Sequence, residues 1–353
     1  MLIKILKGKG SKVELSERKL KILASIIDVY VASGDPVGSK LIAEKIGVSS
    51  ATIRNEMADL IEMGFLLQPH TSAGRIPSER GFREYINSYL NFEKIATDRM
   101  KYLESVICSG SYNKTELLKI TADILSKETN FLAAITEPDD TKAIIRAVQF
   151  VQISRRTAML ILITSGGAVQ NKIFRCDYDL SSDIMRIFFR IFNEQVTGKR
   201  LNEISLAFIQ SLAIKLYDMV TLLTPALLAF YEAVRETQKL TTVIKGELSL
   251  LDYEEFSPLD IKKINETLLT EGKLSLLENS KNSKVSIILG NESKMQEFKD
   301  AAIVSAAYEV GGKKAGSISL VGPLRMNYSS TASLVSYCAK LLGDSLSLLK
   351  AEI

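Results

Sequence analysis

Along the first sixty residues the apolar positions keep a helical rhythm. Leu20, Ile22, Leu23, Ile26, Ile27 and Tyr30 fall on one stripe of a helix that starts at Ser16 and stops at Gly34-Asp35-Pro36. Ser39 offers an N-cap for a short helix over Lys40 to Ile46, closed by Gly47. Ser49 or Ser50 caps a third that runs to Met63 before Gly64. An apolar run, Phe65 to Leu67, then leads into a turn-rich loop from Pro69 to Pro77, and Ser78 restarts a helix. Three short helices followed by a β-loop is the order of a winged helix. A small helical protein-interaction module has the same polar and apolar pattern.

The texture then changes twice. Residues 78 to about 107, and a segment from about 115 to Asn130, keep helical stripes and read as connectors. From Ala143 the pattern becomes strand-like, with IIRAVQFVQIS, TAMLILIT, a hairpin at Ser165-Gly166-Gly167 and AVQNKIFRC. Helix returns from Asp179 to about Val196 and from Leu206 to about Lys239, where Pro225 is expected to interrupt it. Strands reappear at Lys284 to Leu289 and Gly316 to Val321, and an amphipathic helix begins at Thr331. A helical block bracketed by strands is the pattern of one domain inserted in another. This predicts an α+β chain with a winged-helix unit over 1–90 and a helical connector over 91–142. A sheet domain is expected over 143–176 and 255–353, split by an insertion over 177–254.

A chain of 353 residues is long enough for about two or three domains. Its longest apolar stretch, Ala158 to Ile163, is far short of the ~18 residues of a membrane span. The amino terminus has lysines interrupting its apolar residues and lacks a secretion signal core. Cys108, Cys176 and Cys338 are odd in number and far apart, as suits reduced thiols. These features predict a cytoplasmic protein with no membrane contact, no metal and no cofactor.

The net charge of +4 is modest, but Lys4, Lys7, Lys9, Lys12, Arg18, Lys19 and Lys21 crowd into the first residues as a basic arm. On the third helix Ile53, Met57, Leu60 and Ile61 share one face, and Thr52, Asn55, Asp59 and Glu62 share the other, with Arg54 on the flank. Arginine suits guanine or phosphate and asparagine pairs with adenine, which makes the first turns of this helix a candidate reader of base edges. Glu56, Asp59 and Glu62 repel phosphate, so only the amino-terminal half is expected to approach DNA. In the following loop an exposed Arg75 beside Gly74, with hydroxyls on Thr71 and Ser72, has the composition of a wing.

Catalysis finds little support. His70, the one histidine, has no carboxylate or cysteine near it in sequence. The run GGKKAG from Gly311 lacks the spacing of a phosphate-binding loop and reads as a hairpin turn. The acidic pairs Glu254-Glu255 and Asp139-Asp140 read as solvated turns. The chain is not expected to be an enzyme.

The segments GDPVGSK, SSATIRNEMADL and QPHTSAGRIP, within Leu15 to Ile86, closely resemble the start of the HrcA family of heat-inducible transcription repressors. VGPLRMNYSSTASLVSYCAKLL from Val321 is similar to that family's closing motif, whereas IKGELSLLDYEEF departs from its usual middle turn. The resemblance implies a winged helix followed by a GAF-like domain that carries an inserted dimerisation domain. It implies a homodimeric repressor of chaperone genes that binds double-stranded DNA at an inverted repeat and depends on the chaperonin GroEL. Carried over by position, Ser50, Thr52, Arg54 and Asn55 fall in the recognition helix, and His70, Thr71, Ser72 and Arg75 in the wing. A small-molecule-gated regulator, with the GAF-like sheet as effector sensor, is the alternative.

Overall fold

The computed structural model describes residues 15–70, 73–108, 114–136, 142–216, 219–238, 242–270 and 285–352. The lysines of the amino-terminal arm up to Lys12, Thr71, Ser72 and the pair Asp139-Asp140 lie outside the described residues.

The amino-terminal unit, or head, packs α1 (Glu17–Ser33), α2 (Ser39–Ile46) and α3 (Ser50–Glu62) against a two-stranded ribbon, β1 (Leu66–Leu67) and β2 (Ile76–Pro77). Ser16 caps α1 by accepting from the Lys19 N–H, and Gly34 ends it at φ +76°, a left-handed conformation that a side chain would strain. Ser49 is the residue that caps α3. Ser39 lies inside α2, whose N-cap is Gly38, and its hydroxyl instead meets that of Ser50 at 3.0 Å. Ile22, Leu23, Ile26 and Ile27 of α1 and Ile53, Met57 and Leu60 of α3 form the buried interior, closed below by Phe65, Phe82 and Ile86. The last two come from α4 (Glu79–Ser88).

The chain continues through α5 (Thr97–Cys108) and α6 (Lys114–Thr129) into β3 (Leu132–Thr136). This strand is central in an antiparallel five-stranded sheet of order β7-β3-β10-β9-β8, with β7 at Thr242–Lys245, β8 at Val285–Leu289, β9 at Ala301–Val310 and β10 at Lys313–Pro323. The Gly311-Gly312 pair, at φ +60° and +73°, makes the β9–β10 turn, as the sequence suggested. One sheet face packs with α5, α6 and the terminal helix α11 (Tyr328–Glu352), in a core continuous with that of the head. The other face packs with α10 (Pro258–Leu269) in a smaller core.

Between β3 and β7 lies a separate body. Strands β4 (Ile145–Ser154), β5 (Thr157–Thr164) and β6 (Val169–Arg175) form an antiparallel meander of their own. Its inner face packs with α7 (Ser182–Val196), α8 (Leu206–Lys215) and α9 (Val220–Thr237) in a core built on Phe174, Phe188, Phe192 and Phe230. The strands of 143–176, expected to pair with those of the carboxy-terminal segment, pair only with one another among the described residues. Conversely β3, expected in a connector, and β7, expected in the insertion, belong to the large sheet. For β3 the cause is its burial. A central strand such as Leu132–Ile135 is buried on both faces, so it shows an apolar run without the alternation that marks a half-buried strand like β5.

The helix break expected at Pro225 also sits elsewhere. The proline lies inside α9, and the chain leaves helix ahead of that, after Lys215. As the sixth residue of α9 the proline forgoes the N–H bond that this position would give to the Thr221 carbonyl, and the helix continues past it.

Candidate nucleic-acid interface

Helix α3 presents two polar side chains to solvent at its amino-terminal end, Arg54 and Asn55. Thr52, one turn earlier, is half-buried: its N–H donates to the Ser49 hydroxyl at 3.1 Å, and the two hydroxyls lie 2.8 Å apart. Ser50 is tied to Ser39 across the α2–α3 turn. Of the four recognition-helix residues read from the sequence, two are therefore displayed and two hold the helix start in place. Arg54 and Asn55, adjacent in sequence, are thus both exposed within the first two turns of α3.

Two of the three acidic side chains that the sequence set against phosphate, Glu56 and Asp59, are paired within the head, while Glu62 is exposed. Glu56 forms an ion pair with Arg18 and a second, at 2.9 Å, with Lys19; Lys19 also reaches Asp59 at 2.7 Å. The hydrogen bond from Lys19 holds the Glu56 carboxyl below the usual carboxylate range, and bonds to Asp59 and then Glu56 push the Lys19 ammonium up. Two carboxylates of the reading helix are thus neutralised from within the head. Arg18 and Lys19, read as part of a basic arm, face α3 from the first turn of α1. Their pairing with residues thirty-eight and forty positions away leaves no local mark in the sequence.

The wing is built by close backbone approach. Val37 and Arg75 exchange N–H to C=O bonds of 2.9 Å in both directions, adding a third short segment to the β1–β2 ribbon. A Cβ on Gly74 would lie 2.6 Å from the Pro36 carbonyl oxygen, so only glycine fits there. At the tip the His70 carbonyl accepts from the Ala73 N–H at 3.0 Å, and the His70 side chain is exposed. Arg75 is not the free cation expected. Its Nη1 donates to the Ala73 and Gly74 carbonyls at 3.0 and 3.3 Å, and its Nε is buried.

Arg80 was not singled out from the sequence. Its guanidinium lies 4.6 Å from the Phe65 ring centre and donates to the Met63 carbonyl at 2.9 Å, closing the end of α3 onto the ribbon. An arginine at the second position of a helix gives no hint of this from spacing alone. Among the described residues no helix is long and apolar enough to cross a membrane.

Comparison with known proteins agrees with this geometry. Residues 14–83 match the winged helix-turn-helix transcription repressor, HrcA DNA-binding, and residues 115–332 match the HrcA protein C terminal domain. The heat-inducible transcription repressor HrcA of Clostridium perfringens is 34% identical over 338 residues, covering 94% of this chain and 99% of its own length. The protein of the same name from Ruminiclostridium cellulolyticum is 35% identical over 92% of this chain and 95% of its own. A crystal structure of a hypothetical protein at 2.2 Å resolution shares the fold, with a TM-score of 0.66 and 21% identity over 95% of this chain and all of that one. A head that displays Arg54 and Asn55, with its nearby acids neutralised and a glycine-dependent wing beside it, is the expected form of such a DNA-binding unit, and the chain belongs to the HrcA family.

Proposed function

We propose that this chain is a heat-inducible transcription repressor that acts in the cytoplasm as a homodimer on an inverted-repeat operator. The observation that carries the DNA-binding part is the exposed pair Arg54 and Asn55 on a helix whose Glu56 and Asp59 are already neutralised. Arg54 is the donor to guanine or phosphate and Asn55 the partner of adenine in the major groove. Arg75, Thr71, Ser72 and His70 belong to the wing, which contacts backbone or minor groove.

We assign the five-stranded unit as the GAF-like domain and residues 142–238 as the inserted dimerisation domain. The outer face of the small sheet supports that assignment. Its cross-strand rows read Val151–Met159–Ile173, Gln149–Ile161–Asn171 and Ala147–Ile163–Val169. Val169 and Ile173 are 61% and 66% exposed, and an apolar sheet face of this kind is the mark of an interface. A second copy covering it brings two heads to two half-sites.

The chaperonin GroEL is the proposed partner that returns heat-inactivated repressor to its binding form, as the family resemblance implies. The test is a gel-shift titration against an inverted repeat at two salt concentrations, on protein warmed through the growth limit with and without chaperonin. Binding that falls with salt, disappears on warming and returns with chaperonin is the expected result. Undiminished binding after warming would transfer the regulatory role to an effector on the GAF-like sheet.

A further inference from the structure

The head is not tethered to the large sheet by a bare linker: one arginine ion pair crosses between them, and a second arginine, paired within the sheet unit, presses on the head. On one side Arg83 of α4 pairs through Nε and Nη2 with the two Glu292 carboxylate oxygens, Nε to Oε1 at 2.7 Å, and Nη2 also donates to the Ile287 carbonyl at 2.8 Å. Beside it, Glu79 accepts from the Asn291 side chain at 3.0 Å. Gly290 is so close that a Cβ there would lie 2.7 Å from the Glu79 carboxylate. On the other side Arg325, in the turn between β10 and α11, pairs with Glu255 at 2.6 and 3.4 Å and lies 5.5 Å from the Tyr253 ring centre. The same guanidinium presses on the end of α1, where a Cβ on Gly34 would meet its Nη1 at 3.3 Å.

Between the clamps Phe82 of the head meets the buried Tyr328 of α11 edge-on, ring centres 5.9 Å apart, with Tyr30 at 6.4 Å on the far side of Phe82. An aromatic contact alone resists separation but tolerates sliding and rotation, because dispersion is not directional. The bidentate Arg83–Glu292 pair, which crosses from head to sheet, removes that freedom by fixing an orientation as well as a distance, and Arg325, held by Glu255 within the sheet unit, is a stop against the end of α1.

We propose that Arg83 and Arg325 are positioning residues for DNA binding, holding the reading head in one orientation on the large sheet so that a dimer offers its two α3 helices at one fixed separation. Neither residue touches the candidate DNA face. Their effect is on which spacing of half-sites is bound, not on the contacts made within a half-site. The consequence for spacing rests on the dimeric reading above; the consequence for head orientation does not.

Two measurements separate these. The first is the distance distribution between spin labels on exposed Glu62 of α3 and exposed Lys313 of β10, each replaced by cysteine in full-length Cys108→Ser protein without DNA. A narrow distribution is expected with the native clamps, and a broad or displaced one in Arg83→Gln/Arg325→Gln. Glu255→Gln/Glu292→Gln, which removes the same pairs from the opposite side with a side chain of similar shape, must reproduce the change. A melting curve identifies any variant that fails to fold, and the other pair then decides.

The second measurement compares an inverted repeat with one whose spacer is lengthened by half a helical turn, about five base pairs. Native protein should prefer the original by at least about tenfold, and the clamp variants by less than about threefold, with single half-site affinity unchanged. Distributions as narrow in both folded variants as in the native protein would overturn the proposal. Equal affinity of the native protein for both repeats would overturn the dimeric reading, while the label distances still report on the clamps.

Discussion

The head and the large sheet share one continuous core, whereas the inserted body keeps its own. Phe82 of α4 and Tyr328 of α11 belong to the same buried cluster, while Phe150, Phe174, Phe188, Phe192 and Phe230 pack only among the strands and helices of the insertion. The two bodies also treat their exposed surfaces differently. The head shows charged and amide side chains to its candidate ligand; the insertion shows valine and isoleucine on a sheet face. A fixed polar surface suits a ligand that must be read and released, and an apolar one suits a partner that stays. On the function proposed above, DNA belongs to the head and a second copy to the insertion.

The largest test of the shared core is Phe82→Ala, which should cost about 3–5 kcal/mol in stability. Hydrogen exchange should show the lost protection spread over both α1 and the β9–β10 pair, with α9 spared. Phe192→Ala should do the reverse, exposing α7 and α9 and leaving the head protected. If Phe82→Ala loosened the head alone, the two would have to be counted as separate folding units.

Next in size, Val169→Asp with Ile173→Asp should convert the dimer to monomer and weaken operator binding by at least about a hundredfold. Both residues are surface-exposed in a single chain, so the folded monomer should survive, as light scattering and circular dichroism together will report. A dimer that persists would move the interface off this sheet face.

Within the head, Asn55→Ala and Arg54→Ala should each cost about 1–3 kcal/mol, concentrated at particular base pairs. Arg75→Ala should act evenly on all sequences, reduce the salt dependence and cost roughly tenfold or less, because the guanidinium already bonds to Ala73 and Gly74. Titration against a set of single-base operator variants distinguishes the two patterns.

The smallest effect is on pH dependence. Lys19 favours the charged form of Glu56 in the folded head, so the stabilisation is complete above the ordinary glutamate range and drains away as pH falls through the depressed folded value. Glu56→Gln should therefore flatten the acid side of the melting-temperature profile below about pH 5 and leave the neutral side little changed in slope. An unaltered acid limb would mean that Arg18, Lys19 and Glu56 pair without stabilising the head.

Much of this protein is legible from spacing. The stripe Ile22, Leu23, Ile26 and Ile27, the caps Ser16 and Ser49, the stop at Gly34 and the hairpin at Gly311-Gly312 are local, because helix and turn chemistry acts within a few residues. The exposed Arg54 and Asn55 follow from the same wheel, since the opposite face of α3 had to be buried. What only tertiary structure decided was pairing over distance. The strand β3 carries no alternation because both its faces are covered, and the pairing of β3 with β7 spans the whole insertion. The neutralisation of Glu56 by Arg18 and Lys19, the folding back of Arg75 and the clamps of Arg83 and Arg325 join residues that no sequence period relates. Charge and burial depend on neighbours in space, and a sequence states its neighbours along the chain.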